Sequence, residues 1–284
     1  MRLYPLFALF FISSISAQTV GYPPVINFDK KDYSSFLENF SRFKSKYHFK
    51  YQNERLDPIA CAITQLTYAE KPIKISLNFP QKPLPVDTQT VFLESLKKFL
   101  LDNNEIFHST PSELILYSLT DYGTFYNIIF QRATYGKHHT SGSTRSMIEF
   151  VISKKGEISV LVTTLTRKVN TLPDSGSFEK EKIYKRLIGR SFRVSLEGRK
   201  IKYLVESPDV IRFAKTCVFE EKFLEDVYDN SGAVIDRKLK RCIVHLAYQF
   251  NIELGLSKPL ATIYFDAITG EEITVEYPIA EKTI

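Results

Sequence analysis

The chain has 284 residues, of which 44% are hydrophobic and 25% charged, and these values exclude wholesale disorder. The length suggests about two domains, and the 22 Phe and 16 Tyr, with no Trp, favour β-sheet. A formal net charge of +6 makes acidic surfaces candidate partners.

The N-terminus has the pattern of an export signal. Arg2 precedes the almost wholly apolar residues 3–12, and Ile15-Ser16-Ala17 fits the small-residue pattern before a signal-peptidase cut. The apolar run is shorter than the ~20 residues that span a bilayer. We therefore expect residues 1–17 to be a cleaved signal peptide, with a mature chain that is secreted or periplasmic and has no membrane span. The alternatives are an uncleaved anchor or a buried first strand.

Residues 18–84 form an N-terminal region of unknown type. Within it, residues 31–47 carry three phenylalanines at helical spacing, which predicts a helix with an apolar face. Residues 48–80 indicate short extended pieces. Three prolines between positions 80 and 85 then predict a linker.

The next unit, residues 85–172, is predicted to be a helix followed by an antiparallel meander. Asp87 is positioned to cap a helix over residues 88–101, where apolar residues recur on one face. Extended segments follow at 113–119, 124–135, 146–153 and 157–166.

The last unit, residues 178–277, repeats that order. A helix is predicted over residues 178–188, ended by Gly189. Strands are predicted near 201–206, 210–221, 242–252, 260–265 and 271–277. One helix covering one apolar sheet face gives a two-layer domain, so we predict an α+β chain with two helix-plus-antiparallel-sheet modules in tandem.

Much of the positive charge lies in residues 179–202, which hold nine basic and three acidic residues. Such a segment is a candidate site for nucleic acid, anionic lipid or an acidic protein, and export argues against nucleic acid. The alternative is a solvated helix face and an edge strand. The candidate partner-binding residues are Lys180, Lys182, Lys185, Arg186, Arg190 and Arg193.

The chain has three cysteines, Cys61, Cys217 and Cys242. Export permits a disulfide, and the turn signal at residues 229–232 would close a hairpin that places Cys217 opposite residues near 244. A Cys217–Cys242 bridge with Cys61 unpaired is therefore predicted. The alternative is three buried free thiols.

Motifs for catalysis are missing from the sequence. It contains no His-Glu-x-x-His, Gly-x-Ser-x-Gly, Gly-x-Gly, P-loop or Cys-x-x-Cys pattern, so we predict no enzyme and no cofactor. A site made of scattered carboxylates stays open. His138-His139 is interpreted as an exposed polar loop rather than a metal site, and His245 as a surface or hydrogen-bonded sheet residue.

Several segments resemble the propeptides of thermolysin/fungalysin-type metalloproteases, which combine an FTP module with a PepSY domain. Residues 129–131 with Tyr135-Gly136 resemble the "FQQ-Y-G" strand of the FTP module. Tyr264 to Glu271, with its Asp-Ala-x-Thr-Gly-Glu turn, is similar to the end of a PepSY domain. The resemblance covers about residues 85–277 and is followed by a tail at 278–284. It implies a cystatin-like, two-layer fold.

The chain departs from that family in two ways. Residues 137–142 replace an apolar, glycine-rich turn, and no zinc peptidase follows before Ile284. The resemblance implies a binding protein that inhibits a secreted metalloprotease, or assists its folding, from a separate chain. The alternative is a secreted structural or ligand-binding protein with the same fold. The sequence predicts no oligomeric state.

Overall fold

The computed structural model describes residues 21–77, 88–142, 145–169, 171–196, 199–255 and 258–278. The predicted α+β class is confirmed, because the described residues form helices and antiparallel sheets. The helices are α1 (Lys30–Tyr47), α2 (Thr88–Leu101), α3 (Asn104–Phe107) and α4 (Lys180–Leu187). The strands are β1 (Val25–Ile26), β2 (Lys50–Asp57), β3 (Ala62–Lys71), β4 (Ile73–Lys74), β5 (Leu114–Asp121), β6 (Phe125–Arg132), β7 (Thr134–Tyr135), β8 (His138–His139), β9 (Met147–Ser153), β10 (Glu157–Thr163), β11 (Ser191–Leu196), β12 (Arg199–Leu204), β13 (Ile211–Tyr228), β14 (Val234–Ile252), β15 (Ala261–Asp266) and β16 (Glu272–Glu276).

The first sheet has the order β2-β3-β10-β9-β6-β5, with β4 beside β10. Helices α1 and α2 pack their aromatic faces into one core with this sheet, where Phe43 contacts Phe99 and Phe99 contacts Phe150. Residues of the N-terminal region thus complete the sheet, since Leu66 of β3 lies opposite Leu161 of β10. The predicted boundary at residue 84/85 therefore lies within a part of the chain that shares one hydrophobic core.

The second sheet is built around β14, the longest strand. It pairs with β13 on one side and with β1 and β15 on the other, and β16 continues the sheet beyond β15. Helix α4 buries Ile183 and Leu187 in a core that includes Phe250 and Phe265. The β11–β12 hairpin adds a small two-stranded sheet beside this core.

The predicted strands and helices form with shifts of a few residues, apart from the long β13–β14 hairpin, whose strands extend well beyond the predicted segments. That hairpin closes at the predicted turn, where Asp229 Oδ1 accepts hydrogen bonds from the amides of Ser231 and Ala233. The predicted signal peptide, the capping Asp87 and the tail beyond residue 278 lie outside the described residues.

The structure corrects the predicted Cys217–Cys242 disulfide, because all three cysteines are free and buried. Cys217 lies opposite Ala247, and Cys242 lies opposite Lys222. Cys217 and Lys222 are an odd number of residues apart on β13, so their side chains point to opposite faces of the sheet. Cys242 shares the face of its partner Lys222 and therefore lies on the other face from Cys217. The prediction failed because bulges near the hairpin end shift the register. Burial raises the pKa of the Cys217 thiol to about 11 and that of Cys242 to about 12.

Residues 137–142, which include β8, join the two sheets. The Ser141 amide donates to the carbonyl of Val218 at 3.0 Å, and Thr140 bridges to the same β13 residue. The Ser141 hydroxyl donates to Gln249 at 2.8 Å. His138 lies 3.1 Å from the carbonyl oxygen of Pro173. The polar residues of this loop therefore serve packing between the sheets.

Candidate partner-binding surface

Four of the six predicted basic residues lie on α4, Arg190 lies in the turn after it, and Arg193 lies on β11. Ile183 and Leu187 face the core one turn apart, which leaves Lys182, Lys185 and Arg186 on the outer side of α4. The helix ends before Gly189, whose φ of 81° suits glycine, and the chain turns there into β11.

Four of the six predicted residues are engaged within the chain. The Lys180 ammonium lies 3.9 Å from the centre of the Phe213 ring, and the Lys182 ammonium lies 3.2 Å from a Glu179 carboxylate oxygen. Arg186 donates a hydrogen bond to the Gly270 carbonyl at 2.6 Å, and Arg190 forms a bidentate ion pair with Glu272. The four engaged residues are thus Lys180, Lys182, Arg186 and Arg190. The contacts of Lys180, Arg186 and Arg190 hold α4 and the turn after it against the second sheet, whereas the Lys182–Glu179 pair lies within the start of α4.

Of the other two predicted residues, Lys185 is exposed on α4 and Arg193 is exposed on β11. Arg193 belongs to a group of cations on the outward face of the β11–β12 hairpin. Arg193 pairs directly with Lys202 across the two strands, and Lys200, two residues along, shares their face. The opposite face buries Phe192 and Val194 in the core. We call Arg193, Lys200 and Lys202 the basic hairpin face. Among the described residues none of these three has an ion-pair partner. Like charges in directly opposed positions destabilise a strand pair, so an anionic partner would stabilise this one.

A buried charged cluster connects the two sheets. Arg132 of β6 and Glu220 of β13 have side chains 0% and 6% exposed, with Nη1 and Oε1 3.0 Å apart. Nη2 of Arg132 donates to the carbonyls of His108 and Thr166. Ser146 and Thr166 donate hydroxyl hydrogen bonds to the Glu220 carboxylate. We call these residues the junction cluster.

The electrostatics of the junction cluster favour the ionised carboxylate. Burial alone would raise the pKa of Glu220, but Lys222 and Arg132, with the hydroxyl hydrogen bonds, outweigh it and lower the pKa below its usual value. Sequence reasoning missed this cluster. The signal was present, because Tyr126, Ile128 and Phe130 alternate along β6 and place Arg132 on the same buried face.

A second buried cluster lies within the second sheet. His245 Nδ1 is 2.8 Å from Asp266 Oδ2, and His245 Nε2 is 3.3 Å from Glu221 Oε2. The Tyr22 hydroxyl donates to Asp266 at 2.9 Å and accepts from the Leu246 amide. We call this the histidine cluster. His245 is a hydrogen-bonded sheet residue, one of the two outcomes expected from the sequence, but its partners were not predicted.

Asp266 also organises the turn that resembles a PepSY domain. Its Oδ1 accepts hydrogen bonds from the amides of Ile268 and Thr269. Burial acts to raise the pKa of Asp266, while His245, the two turn amides and Tyr22 lower it, with a net decrease. The Asp266 carboxylate therefore contacts two amides of its own turn through one oxygen, and His245 and Tyr22 through the other. No group of three or more His, Cys, Asp or Glu in the described part of the chain is placed to hold a metal ion.

Two open clefts adjoin each other beside α1 and α3. They have volumes of about 310 and 330 Å³ and share His108, Arg167 and Lys168. Lys168 is already paired with Glu113, and Arg167 with Asp32. Ligand pockets are lined mostly by apolar side chains, whereas polar and charged residues line most of these clefts, so they are poor candidates for a small-molecule site.

Comparisons with known proteins do not show a family for this chain. Neither the protein-family models nor the curated proteins give a match to this chain. One solved structure that matches is described as the Bacillus megaterium YpeB C-terminal domain, at 13% identity, with 89% of this chain and 99% of that chain covered and a TM-score of 0.29. A superposition of that quality transfers neither fold nor function. In the described residues, no helix combines the length and apolarity that crossing a membrane requires.

Proposed function

We propose that the chain is an exported, non-enzymatic protein-binding module that acts from a separate chain on a secreted metalloprotease, as an inhibitor or folding assistant. The observation that supports it best is the basic hairpin face. Arg193 and Lys202 oppose each other on an exposed surface, with Lys200 beside them. An acidic protein surface would relieve their repulsion, and export would keep nucleic acid away from it.

The interior chemistry supports a binding role over catalysis. The junction and histidine clusters place Glu220 and Asp266 in the core, where neighbouring side chains and turn amides hold both carboxylates. A general acid or base must instead reach the substrate within hydrogen-bond distance. We expect the purified mature chain to leave casein intact with and without zinc. Cleavage that a chelator abolishes would contradict the proposal.

A ligand-binding role is the weaker alternative. That role calls for a largely apolar pocket, and the two clefts around His108 are lined by charged side chains that are already paired. We therefore propose a protein, rather than a small molecule, as the binding partner.

Charge reversal tests the proposed binding. Candidate metalloproteases are taken from the secreted fraction of the exporting organism, and association kinetics are measured with the wild type and with Arg193→Glu/Lys202→Glu. We expect association to slow on the order of 10-fold at low salt, and the difference to shrink as salt rises, because steering acts through a long-range field.

The matched control is Lys31→Glu/Lys155→Glu, which makes the same change in net charge at exposed positions of the first sheet unit. We expect the control to behave nearly as the wild type. Equal slowing in both variants would mean that only net charge matters. If no secreted metalloprotease binds the wild type, the proposed partner is wrong.

A further inference from the structure

Strand β5 forms an open edge of the first sheet. It pairs with β6 on one side, and in the described structure no strand lies on its other side. The side chains of Ile115, Leu116 and Tyr117 are exposed, Tyr117 at 64%. An exposed edge with large apolar side chains is a template for pairing with another chain.

The other long edge strands carry charges that discourage such pairing. Among the described edges, β2 contains Lys50, Glu54, Arg55 and Asp57, and β16 begins and ends with glutamate. On the small sheet, β12 has three basic residues. β5 has no charge, proline or glycine from Leu114 to Thr120. Natural proteins protect edges with charged residues and with bulges. β5 has a bulge at Tyr117 but no charge from Leu114 to Thr120, so among these edges it is the one best suited to pairing.

We propose that β5 pairs antiparallel with β5 of a second copy of this chain. Around a two-fold axis, residue i of one copy meets residue j of the other, and j meets i. An uncharged strand meets itself without opposing like charges, whereas β12 would bring cation against cation. The exposed Ile115, Leu116 and Tyr117 of both copies would cover each other. This interface lies on the first sheet and is independent of the proposed protease partner.

The geometry of β5 sets the expected strength. A bulge between Leu116 and Ser118 interrupts the pairing register with β6 and increases the local twist. The bulge weakens pairing at this edge, so the contact is limited to the few exposed residues 115–117. Small interfaces are typical of weak, transient complexes, so the dimer forms with rising protein concentration.

The test is sedimentation velocity of the mature chain over a range of concentrations. The edge variant is Ile115→Lys/Tyr117→Lys. The matched control is Tyr228→Lys/Ile235→Lys, which changes the same residue types at positions 59% and 61% exposed on the β13–β14 hairpin end. We expect the wild type and the control to dimerise, and the edge variant to remain monomeric at least 10-fold higher in concentration. Circular dichroism checks that both variants fold.

Hydrogen exchange provides a second measurement on the unaltered chain. The β5 amides should become protected at high concentration, while those of β2 and β16 should not change. A wild type that stays monomeric, or an edge variant that dimerises as well as the control, overturns the proposal. Loss of dimer in the control alone would place the interface at the β13–β14 hairpin end instead.

Discussion

The junction cluster and the histidine cluster both keep a carboxylate in the core, but they hold it in different ways. Glu220 depends on the charge of nearby Lys222 on its own strand, and on Arg132 and two hydroxyl groups that come from distant parts of the chain. Asp266 is bonded by two amides of its own turn in addition to His245 and Tyr22. A carboxylate held by its own turn keeps part of its support when one neighbour is lost. The junction cluster should therefore be more sensitive to single substitutions.

The largest effect is expected for Arg132→Met. The substitution removes one of the two cations beside the buried Glu220, and breaking a buried ion pair costs about 3–5 kcal/mol. The measurement is the free energy of unfolding in urea. In the control, Arg132→Met/Glu220→Gln, both charges of the Arg132–Glu220 pair are removed, so the double variant should lose less than the two single variants added together. A loss below about 1 kcal/mol in Arg132→Met would contradict the importance of the junction.

A smaller effect is expected for Asp266→Asn. The remaining oxygen can still accept from the Ile268 and Thr269 amides, while the interaction with His245 weakens. We expect a loss of about 1–3 kcal/mol, the range for an impaired buried hydrogen bond. The same urea titration measures it. An Asp266→Asn loss equal to that of Arg132→Met would remove the contrast between the two clusters.

Acid should weaken both clusters. The folded-state pKa values of Glu220 and Asp266 are lowered, so their contribution is present above the ordinary carboxyl pKa of about 4 and is lost as pH falls through the folded values. The slope is at most about 1.4 kcal/mol per pH unit for each carboxyl. Unfolding free energies measured between neutral pH and pH ~3 should show a shallower decline in Glu220→Gln. A decline unchanged in that variant would assign the acid sensitivity to other groups.

The smallest effect is expected at the surface pair of Arg190 and Glu272, whose side chains are 35% and 33% exposed. Arg190→Gln should cost about 0–1 kcal/mol, because water and salt screen such pairs. Thermal unfolding at low and high salt measures it, and the difference from the wild type should shrink with salt. A loss as large as that of Asp266→Asn would mean that this pair supports the packing of β11.

The sequence was a good guide where structure is local. Apolar spacing predicted α1 and α2 closely, and the turn residues at 229–232 and 266–270 predicted two hairpins that form. The sequence singled out six basic residues as candidates for partner binding, but it did not predict that four of them contact other parts of the same chain. Contacts such as Arg186 to the Gly270 carbonyl depend on where α4 lies on the sheet, and helix periodicity does not determine that position.

Long-range pairing was the main limit. The pattern of residues 50–71 indicates strands but not their neighbour, so the pairing of β3 with β10 was missed. The register of β13 against β14 depends on bulges, which add unpaired residues without a clear sequence signal. The open edge at β5 could be recognised only after the strand order was known.

The contact between Tyr22 and Asp266 has a consequence for how the chain acquires its structure. The two residues are 244 positions apart, and β1 joins β14 across a similar separation. Bringing such distant segments together costs loop-closure entropy, and a high share of distant contacts slows folding. During synthesis, Tyr22 and β1 can form these contacts only after Asp266 and β14 have been made. We expect completion of the second sheet to be a late, slow kinetic phase, one that Tyr22→Phe leaves in place and that a chain ending before β15 lacks.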